Sequence, residues 1–157
     1  MSSSSEGGKV ADAVVAGLNE GTFTTTFTTA VAYGLRLKLE DADTLRVDVA
    51  PVKSSPSRQA RGYIKWLNTI DIGVRYRFGQ SDLVSTTGLP SASAVDTYRY
   101  LHQQIIEWCF SNAKLSDYIV MPSDPDVRAD VVQKHLDEWN QFTAIVRVDY
   151  QTETVIA

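Results

Sequence analysis

The side chains best suited to chemistry are sparse in this chain of 157 residues. Its two histidines, His102 and His135, fall in different predicted helical segments, and neither has an acidic or thiol partner at the spacing typical of metal ligands. Glu107 lies on the same predicted helix as His102, so one hypothesis is a small hydrolase or ligand-binding α+β domain that uses this pair. A deep pocket lined by both side chains would favour that hypothesis.

The other candidate residues favour structural roles. Cys109 is the one cysteine, so it cannot form an internal disulfide, and its apolar helical surroundings predict a buried thiol. Asp124 and Asp126 lack the ligand-Gly-ligand register of a calcium loop and are better explained by a helix start in a solvated loop. No glycine-rich phosphate loop, cysteine pair or Gly-x-Ser-x-Gly motif occurs. The sequence therefore predicts a binding or structural protein, not an enzyme, with no metal and no cofactor.

Charge is unevenly distributed along the chain. The formal net charge is −4 and the pI is near 5.1, which argues against a dedicated nucleic-acid binder with one broad basic face. Residues 36–77 contain nine Lys or Arg against five Asp or Glu, whereas residues 96–157 contain five against ten. A basic middle and an acidic end would allow copies of the chain to meet head to tail; a mixed, solvated surface is the alternative interpretation.

Composition predicts one domain with a short tail. Residues 1–8 are rich in serine and glycine and predict a flexible tail, and residues 9–157 predict a single α+β domain. The tail lacks the charged start and apolar run of a signal peptide, and no apolar run approaches the roughly 20 residues that span a bilayer. These features predict a protein made in a cytoplasm, with no membrane partner.

Alternation of apolar and polar residues predicts strands with one buried face. The clearest covers residues 70–78, and similar patterns predict strands at residues 45–49 and 142–150. Threonine and aromatic residues at every second position favour strand in residues 23–39 as well. The polar segment 51–62, by contrast, predicts a loop that projects from the sheet. The residues expected to face one core from these strands are Leu45, Val47, Ile70, Ile72, Val74, Val146 and Val148.

Helical spacing predicts one short and one long helix. The short one precedes Gly21, with Val10, Val14 and Leu18 on its apolar side. The long one begins near Ser93, with Asp96 completing a capping box. Its buried stripe is formed by Tyr98, Leu101, Ile105 and Trp108. A further helix is predicted within residues 127–139, started by the Asp124-Pro125 pair.

This order of elements predicts an α+β fold. Strands joined by hairpins, with an N-terminal helix and one long helix on one face, give a mainly antiparallel sheet of about four strands. The long strand carries charges on its wet face but no catalytic set, which favours an interface on that face.

Several segments together resemble small tailed-bacteriophage proteins of the tail-completion class, the tail terminators and tail-to-head joining proteins. The segments are "LKLEDADTLRVDVAPV", the Ser/Arg-rich "SSPSRQARG", "NTIDIGVRYRF" and "NQFTAIVRVDY". The resemblance covers roughly residues 41–79 and the final strand, and its most distinctive parts are "IDIGV" and "QFT". The long Ser/Thr-rich stretch 81–95 and the acidic, Trp-containing segment before Phe142 depart from the pattern.

The resemblance implies a function and a set of partners. It implies a ring-forming, homo-hexameric subunit of the virion, which is assembled in the host cytoplasm and caps the tail tube. It further implies docking onto the head-side connector, with DNA passing through the ring only as a passenger. A head-closure or neck adaptor of the same junction is the alternative, separated from the first by ring size and by whether the partner is the tail tube or the head-side ring.

A heterologous ring interface requires two different complementary surfaces on each subunit, which suggests candidate residues for each. The segment 53–62 is expected to contact a neighbouring subunit or the tail tube. Its candidate contact residues, with one from the following strand, are Lys53, Ser57, Arg58, Arg61 and Lys65. The candidate inter-subunit charges are Arg75, Arg77, Asp124, Asp126, Asp137 and Glu138.

Overall fold

The structure, a computed structural model, describes residues 5–32 and 44–155. Within these ranges the chain forms three α-helices and seven β-strands. In chain order they are α1 (Glu6–Glu20), β1 (Thr28–Val31), β2 (Arg46–Ala60), β3 (Tyr63–Arg77), α2 (Ala92–Ser111), β4 (Lys114–Ser116), β5 (Ile119–Val120), β6 (Asp126–Ala129), α3 (Gln133–Trp139) and β7 (Gln141–Val155). A 3-10 turn at Gln80–Asp82 lies between β3 and α2.

The strands form one mixed sheet with the last strand near its centre. The order is β1-β2-β3-β7-β5-β4, and β6 also pairs with β7. β2 and β3 form a long antiparallel hairpin, and β7 pairs with β3 over all fifteen residues, from Tyr63 opposite Val155 to Arg77 opposite Gln141. β1 runs parallel to β2. The β2–β3 hairpin continues past Ser54, which lies beside Gly7 in the first turn of α1.

One face of the sheet, the core face, packs against α1 and α2. On β3 it carries Ile70, Ile72 and Val74, and Ile72 lies between Val49 of β2 and Val146 of β7. Side chains from both helices complete the same core. The helical contributions are Val10, Ala11, Val14 and Leu18 from α1 and Leu101, Ile105 and Cys109 from α2. The predicted core-facing residues of the three long strands are all buried, so their assignment to one core is confirmed.

The α+β prediction is confirmed, but the sheet is larger and more mixed than predicted. The described residues form seven strands instead of about four, and β1 pairs in parallel with β2. The additional strands β4, β5 and β6 are only two to four residues long. So short a run holds one or two apolar positions, and alternation cannot be recognised in it.

The N-terminal helix begins earlier than predicted. α1 starts at Glu6, where Ser5 caps the helix by accepting a hydrogen bond from the Gly8 amide at 3.0 Å. Gly7 and Gly8 are buried, since this first turn packs against Pro51 and Ser54 of β2. Residues 6–8, which were predicted to belong to a flexible tail, thus form the first turn of α1.

The other predicted elements differ in detail. Phe23 and Phe27 contact each other with ring centroids 5.2 Å apart, but they lie before β1 and not in a strand. The alternation predicted for residues 33–39 lies outside the described residues. α2 is capped by Ser91, which accepts from the Ala94 amide at 3.2 Å, and not by Ser93. The helix predicted within residues 127–139 is divided into strand β6 and the shorter helix α3, because β7 offers an edge with which residues 126–129 pair.

Replacing Gly17 with alanine is expected to destabilise the protein by about 1–2 kcal/mol, although alanine is the better helix former by about 1 kcal/mol. A Cβ at Gly17 would lie 2.6 Å from Cζ2 of Trp108, so α1 and α2 could not keep their present spacing. Denaturant unfolding measures the change. Gly79→Ala is the matched control, because a Cβ there has no heavy atom within 4 Å. Equal stability of the Gly17 variant and the native chain would show that Trp108 has room to move.

Candidate functional site

The long strands continue past the core as an arm. This arm consists of the β2–β3 hairpin of residues 52–67 together with residues 151–155 of β7, which lie alongside it. Its side chains are largely exposed on β2. Four apolar side chains are between 37% and 69% exposed: Val52, Tyr63, Leu67 and Val155.

The arm replaces the loop predicted for residues 51–62. β2 continues through this segment as far as Ala60, and the chain turns at Arg61 and Gly62, whose φ is 90°. Pro51 and Pro56 suggested a loop because proline cannot donate to a ladder. Among residues 5–32 and 44–155, β1 pairs with β2 only as far as Val49, so no described strand requires an N–H from either proline on that side of β2.

The five candidate contact residues are placed on this arm. Lys53, Ser57, Arg58 and Arg61 are exposed, and Lys65 is half-buried opposite Ser57. Residues 52–67 contain no acidic residue. None of the four cations forms an ion pair with any residue in the described part of the chain. The arm is therefore basic, since it carries these four cations and one carboxylate, that of Glu153 on β7, which the register places opposite Lys65.

The face opposite the core, the second face, carries ion pairs between neighbouring strands. Arg147 of β7 donates two hydrogen bonds to Asp71 of β3, at 2.8 and 3.1 Å, and these bonds raise the pKa of the Arg147 guanidinium. Thr69 donates to Asp149 at 2.7 Å. These pairs are partly exposed and fix the register of β3 and β7 without the need for a partner.

Arg75, one of the predicted inter-subunit charges, is buried inside the subunit. Only 3% of its surface is exposed, and its Nη2 lies 2.5 Å from Oδ2 of Asp48, which is 1% exposed. Helix α3 packs at this end of the second face, where His135 and Thr143 form a 2.8 Å hydrogen bond. The alternation placed Arg75 on the face opposite the core, and there its guanidinium is buried in an ion pair with Asp48 within the subunit.

The other predicted inter-subunit charges are all exposed. Arg77 lies near the end of β3, far from the arm. Asp126 on β6 accepts from Arg128 at 3.3 Å, and Asp137 on α3 accepts from Gln133 at 2.9 Å. Asp124 and Glu138 lie next to these two in sequence. The structure distributes the five over three elements and one loop.

A surface cleft runs along α2. Its deeper part has a volume of about 460 Å³ and is bordered by Asp130, which follows β6. A shallower part of about 550 Å³ continues toward the start of α2 and shares Asp96 and Arg99 with the first. Arg99 donates to Asp130 at 2.7 Å across the cleft. The remaining residues of the deeper part are Tyr100, His102, Gln103 and Ile106.

His102 lines this cleft but is itself buried. Its Nδ1 lies 3.9 Å from Oδ1 of Asp130, and its Nε2 is buried without a hydrogen-bond partner among the described residues. Glu107 is exposed, accepts from Gln103 at 3.1 Å and does not line the cleft. The structure therefore does not bring together the His102–Glu107 pair that the hydrolase hypothesis requires.

Lowering the pH below about 6.5 is expected to destabilise the fold through His102. Burial lowers the pKa of His102 from its ordinary value of 6.5, and the nearby Asp130 opposes this only in part. The unfolded chain therefore binds a proton more readily than the folded chain. Stability contributed by neutral His102 is fully present above the ordinary pKa and is lost as the pH falls through it. Denaturant unfolding at about pH 7.5 and about pH 5.5 measures the loss.

The matched control for this pH dependence is His102→Gln, which has no group that titrates in this range. We expect a smaller fall in stability for the variant, with the remainder coming from His135, whose pKa burial and Lys134 also lower. An identical pH profile for the variant and the native chain would contradict a role for His102.

The other side chains with chemical potential are held in the core. Cys109 is buried, and burial raises the pKa of its thiol to about 12, as expected for a structural cysteine. Among residues 5–32 and 44–155, no three His, Cys, Asp or Glu side chains are close enough to hold a metal ion. In the same ranges, no helix has both the length and the apolar character needed to cross a bilayer.

Comparison with protein-family models and with curated protein sequences found no match to this chain.

Proposed function

We propose that the chain is a virion structural protein of a tailed bacteriophage, a tail terminator that assembles as a ring on the end of the tail tube. The observation that carries the proposal is the arrangement of the segments that resemble this class. Residues 69–74 pair along their length with residues 144–149, and residues 46–51 pair with residues 70–75. Segments distant in sequence thus pair side by side in the central three strands of the sheet.

The charge and shape of the subunit support a ring. Each subunit of a closed ring needs two different surfaces that fit each other. The arm is basic and carries four unpaired cations, and the rest of the chain is strongly acidic, since the net charge of −4 includes this arm. A rigid projection built from hydrogen-bonded strands presents its contacts with little loss of conformational entropy on assembly.

Electron microscopy of the purified protein tests the proposal, first alone and then with the tail-tube protein encoded by the same genome. We expect closed rings with six-fold symmetry that bind to one end of the assembled tube. Binding to the head-side connector but not to the tube would instead favour a neck adaptor. Protein that binds neither the tube nor the connector would contradict both assignments.

DNA is proposed to pass through the ring without tight binding. The arm could contact at most four phosphates with its cations, and the rest of the chain would repel the duplex, because its charge is negative overall. We expect weak, salt-sensitive binding to duplex DNA near physiological salt, measured by fluorescence titration. Binding tighter than about micromolar, the tight end of the usual non-specific range, would contradict the passenger role.

A further inference from the structure

The arm is basic, whereas the cleft along α2 carries one more carboxylate than cations, and the two surfaces lie at opposite ends of the sheet. The tip of the arm is fixed beside Val155 by the pairing of Tyr63 with that residue. The cleft is fixed near the other end of β7, because Ala129, the neighbour of Asp130, pairs with Ile145. Ten residues of extended strand separate Ile145 from Val155, which corresponds to roughly 30 Å. Three hydrogen-bonded strands cannot bend back over that distance.

The two surfaces are similar in length. The arm extends roughly 25 Å from residue 52 to residue 60 at the rise of a β-strand. The two parts of the cleft follow α2 from Ala92 to Ile106, which is roughly 20 Å at the rise of an α-helix. A hairpin laid along the helix would therefore fill most of the cleft.

The chemistry of the two surfaces is complementary. The cleft carries Asp96 and Asp130 against the single cation Arg99, and Glu107 lies next to it through its hydrogen bond with Gln103. Asp82 is close to the start of the cleft, because its carbonyl oxygen accepts from the Ser91 amide at 2.8 Å. The arm also exposes two apolar side chains, Val52 and Tyr63, and the cleft has apolar surface from Tyr100 and Ile106 against which they could pack.

We propose that the arm of one copy of this chain docks into the α2 cleft of a second copy. The proposal rests on the ring assembly proposed above, for which it names the two surfaces. Each copy then has one arm and one cleft that it cannot use on itself, so contacts continue head to tail until the assembly closes. The two prolines of β2, Pro51 and Pro56, have no N–H to donate to a further strand, so the proposed contact is made by side chains of the arm.

The proposal is tested with two variants, each of which reverses the charge of one of the two surfaces. Arg58→Glu/Arg61→Glu reverses the arm, and Asp96→Lys/Asp130→Lys reverses the cleft. Sedimentation velocity is expected to show both variants as monomers, with the dissociation constant raised at least about a hundredfold by like-charge repulsion. An equimolar mixture offers two complementary contacts, the native arm with the native cleft and the reversed arm with the reversed cleft, so it should regain the larger assemblies that each variant alone has lost. The native chain should form larger assemblies under the same conditions.

Controls separate this effect from general charge or folding effects. Lys114→Glu/Lys134→Glu changes the net charge as much as the arm variant does but lies off both surfaces, so it should assemble like the native chain. Because Asp130 also pairs with Arg99, Asp96→Lys alone, an exposed helix position, serves as a second cleft variant with an undisturbed ion pair. Unfolding midpoints of all variants establish that they are folded.

Several results would overturn the proposal. These are assembly of the arm variant like the native chain, a mixture that stays monomeric, or a native chain that is itself monomeric. Tight binding of duplex DNA that the arm variant loses would identify the arm as a nucleic-acid surface instead. If the mixture of variants regains assembly but the native ring does not bind the tail tube, the docking stands and the tail function fails. If the arm variant still caps tails, the tail function stands and the docking of the arm into the cleft fails.

Discussion

Ile72→Asp is expected to yield no soluble folded protein. Ile72 is fully buried at the centre of the core face, between Val49 of β2 and Val146 of β7. An aspartate there would be an unpaired charge in an apolar layer, which costs several kcal/mol against a total stability of about 5–15 kcal/mol. Val146→Asp is expected to have the same effect, because the two side chains are opposite each other. Soluble yield and circular dichroism measure the outcome.

The matched control for these variants is Leu67→Asp. Leu67 is also on β3 but faces away from the core and is 37% exposed, so its variant should be soluble and folded. Well-folded protein from Ile72→Asp, or loss of folding in Leu67→Asp, would mean that the two faces of β3 are assigned the wrong way round.

Arg75→Ala is expected to lower the free energy of unfolding by about 3–5 kcal/mol. It removes both the 2.5 Å contact of Nη2 and the 3.1 Å contact of Nε with Asp48. Asp48 would then be a buried carboxylate whose nearest cation is Arg46, 3.5 Å away at Oδ1. Denaturant unfolding of the variant measures the change.

Two comparisons identify burial as the cause. Arg99→Ala breaks an ion pair whose members are about half exposed, and exposed pairs contribute at most about 1 kcal/mol. Asp48→Ala/Arg75→Leu removes both buried charges and is expected to recover much of the loss, because no charge remains unpaired. A small effect of Arg75→Ala, similar to that of Arg99→Ala, would contradict the buried pair.

The central sheet was predictable from sequence because period-two alternation is strong over long strands. Residues 70–78 and 142–150 show it clearly, and the structure pairs them directly. The arm was not predictable in the same way. Beyond Pro51 both faces of β2 are wet, so the alternation that marks a half-buried strand disappears although the strand continues.

The position of Arg75 illustrates a second limit of sequence. Its alternation with Val74 and Tyr76 shows which face of β3 it occupies, but cannot show whether another layer covers that face. Here α3 packs at that end of the sheet, and α3 was predicted only as part of a longer helix. The cleft was also missed, because it joins α2 to Asp130, which is distant in sequence and has no motif of its own.

The central position of β7 has a consequence for synthesis of the chain on the ribosome. β3 needs β7 on one side to cover the backbone of Ile70, Ile72 and Val74, but roughly sixty residues separate the two strands in sequence. At about 5–20 residues per second, the nascent chain exposes an unfinished sheet for several seconds. During that interval the β2–β3 hairpin has an open edge, which can pair wrongly with other nascent chains. A chaperone that binds extended apolar segments would therefore raise the folded yield most when it acts before residue 155 leaves the ribosome.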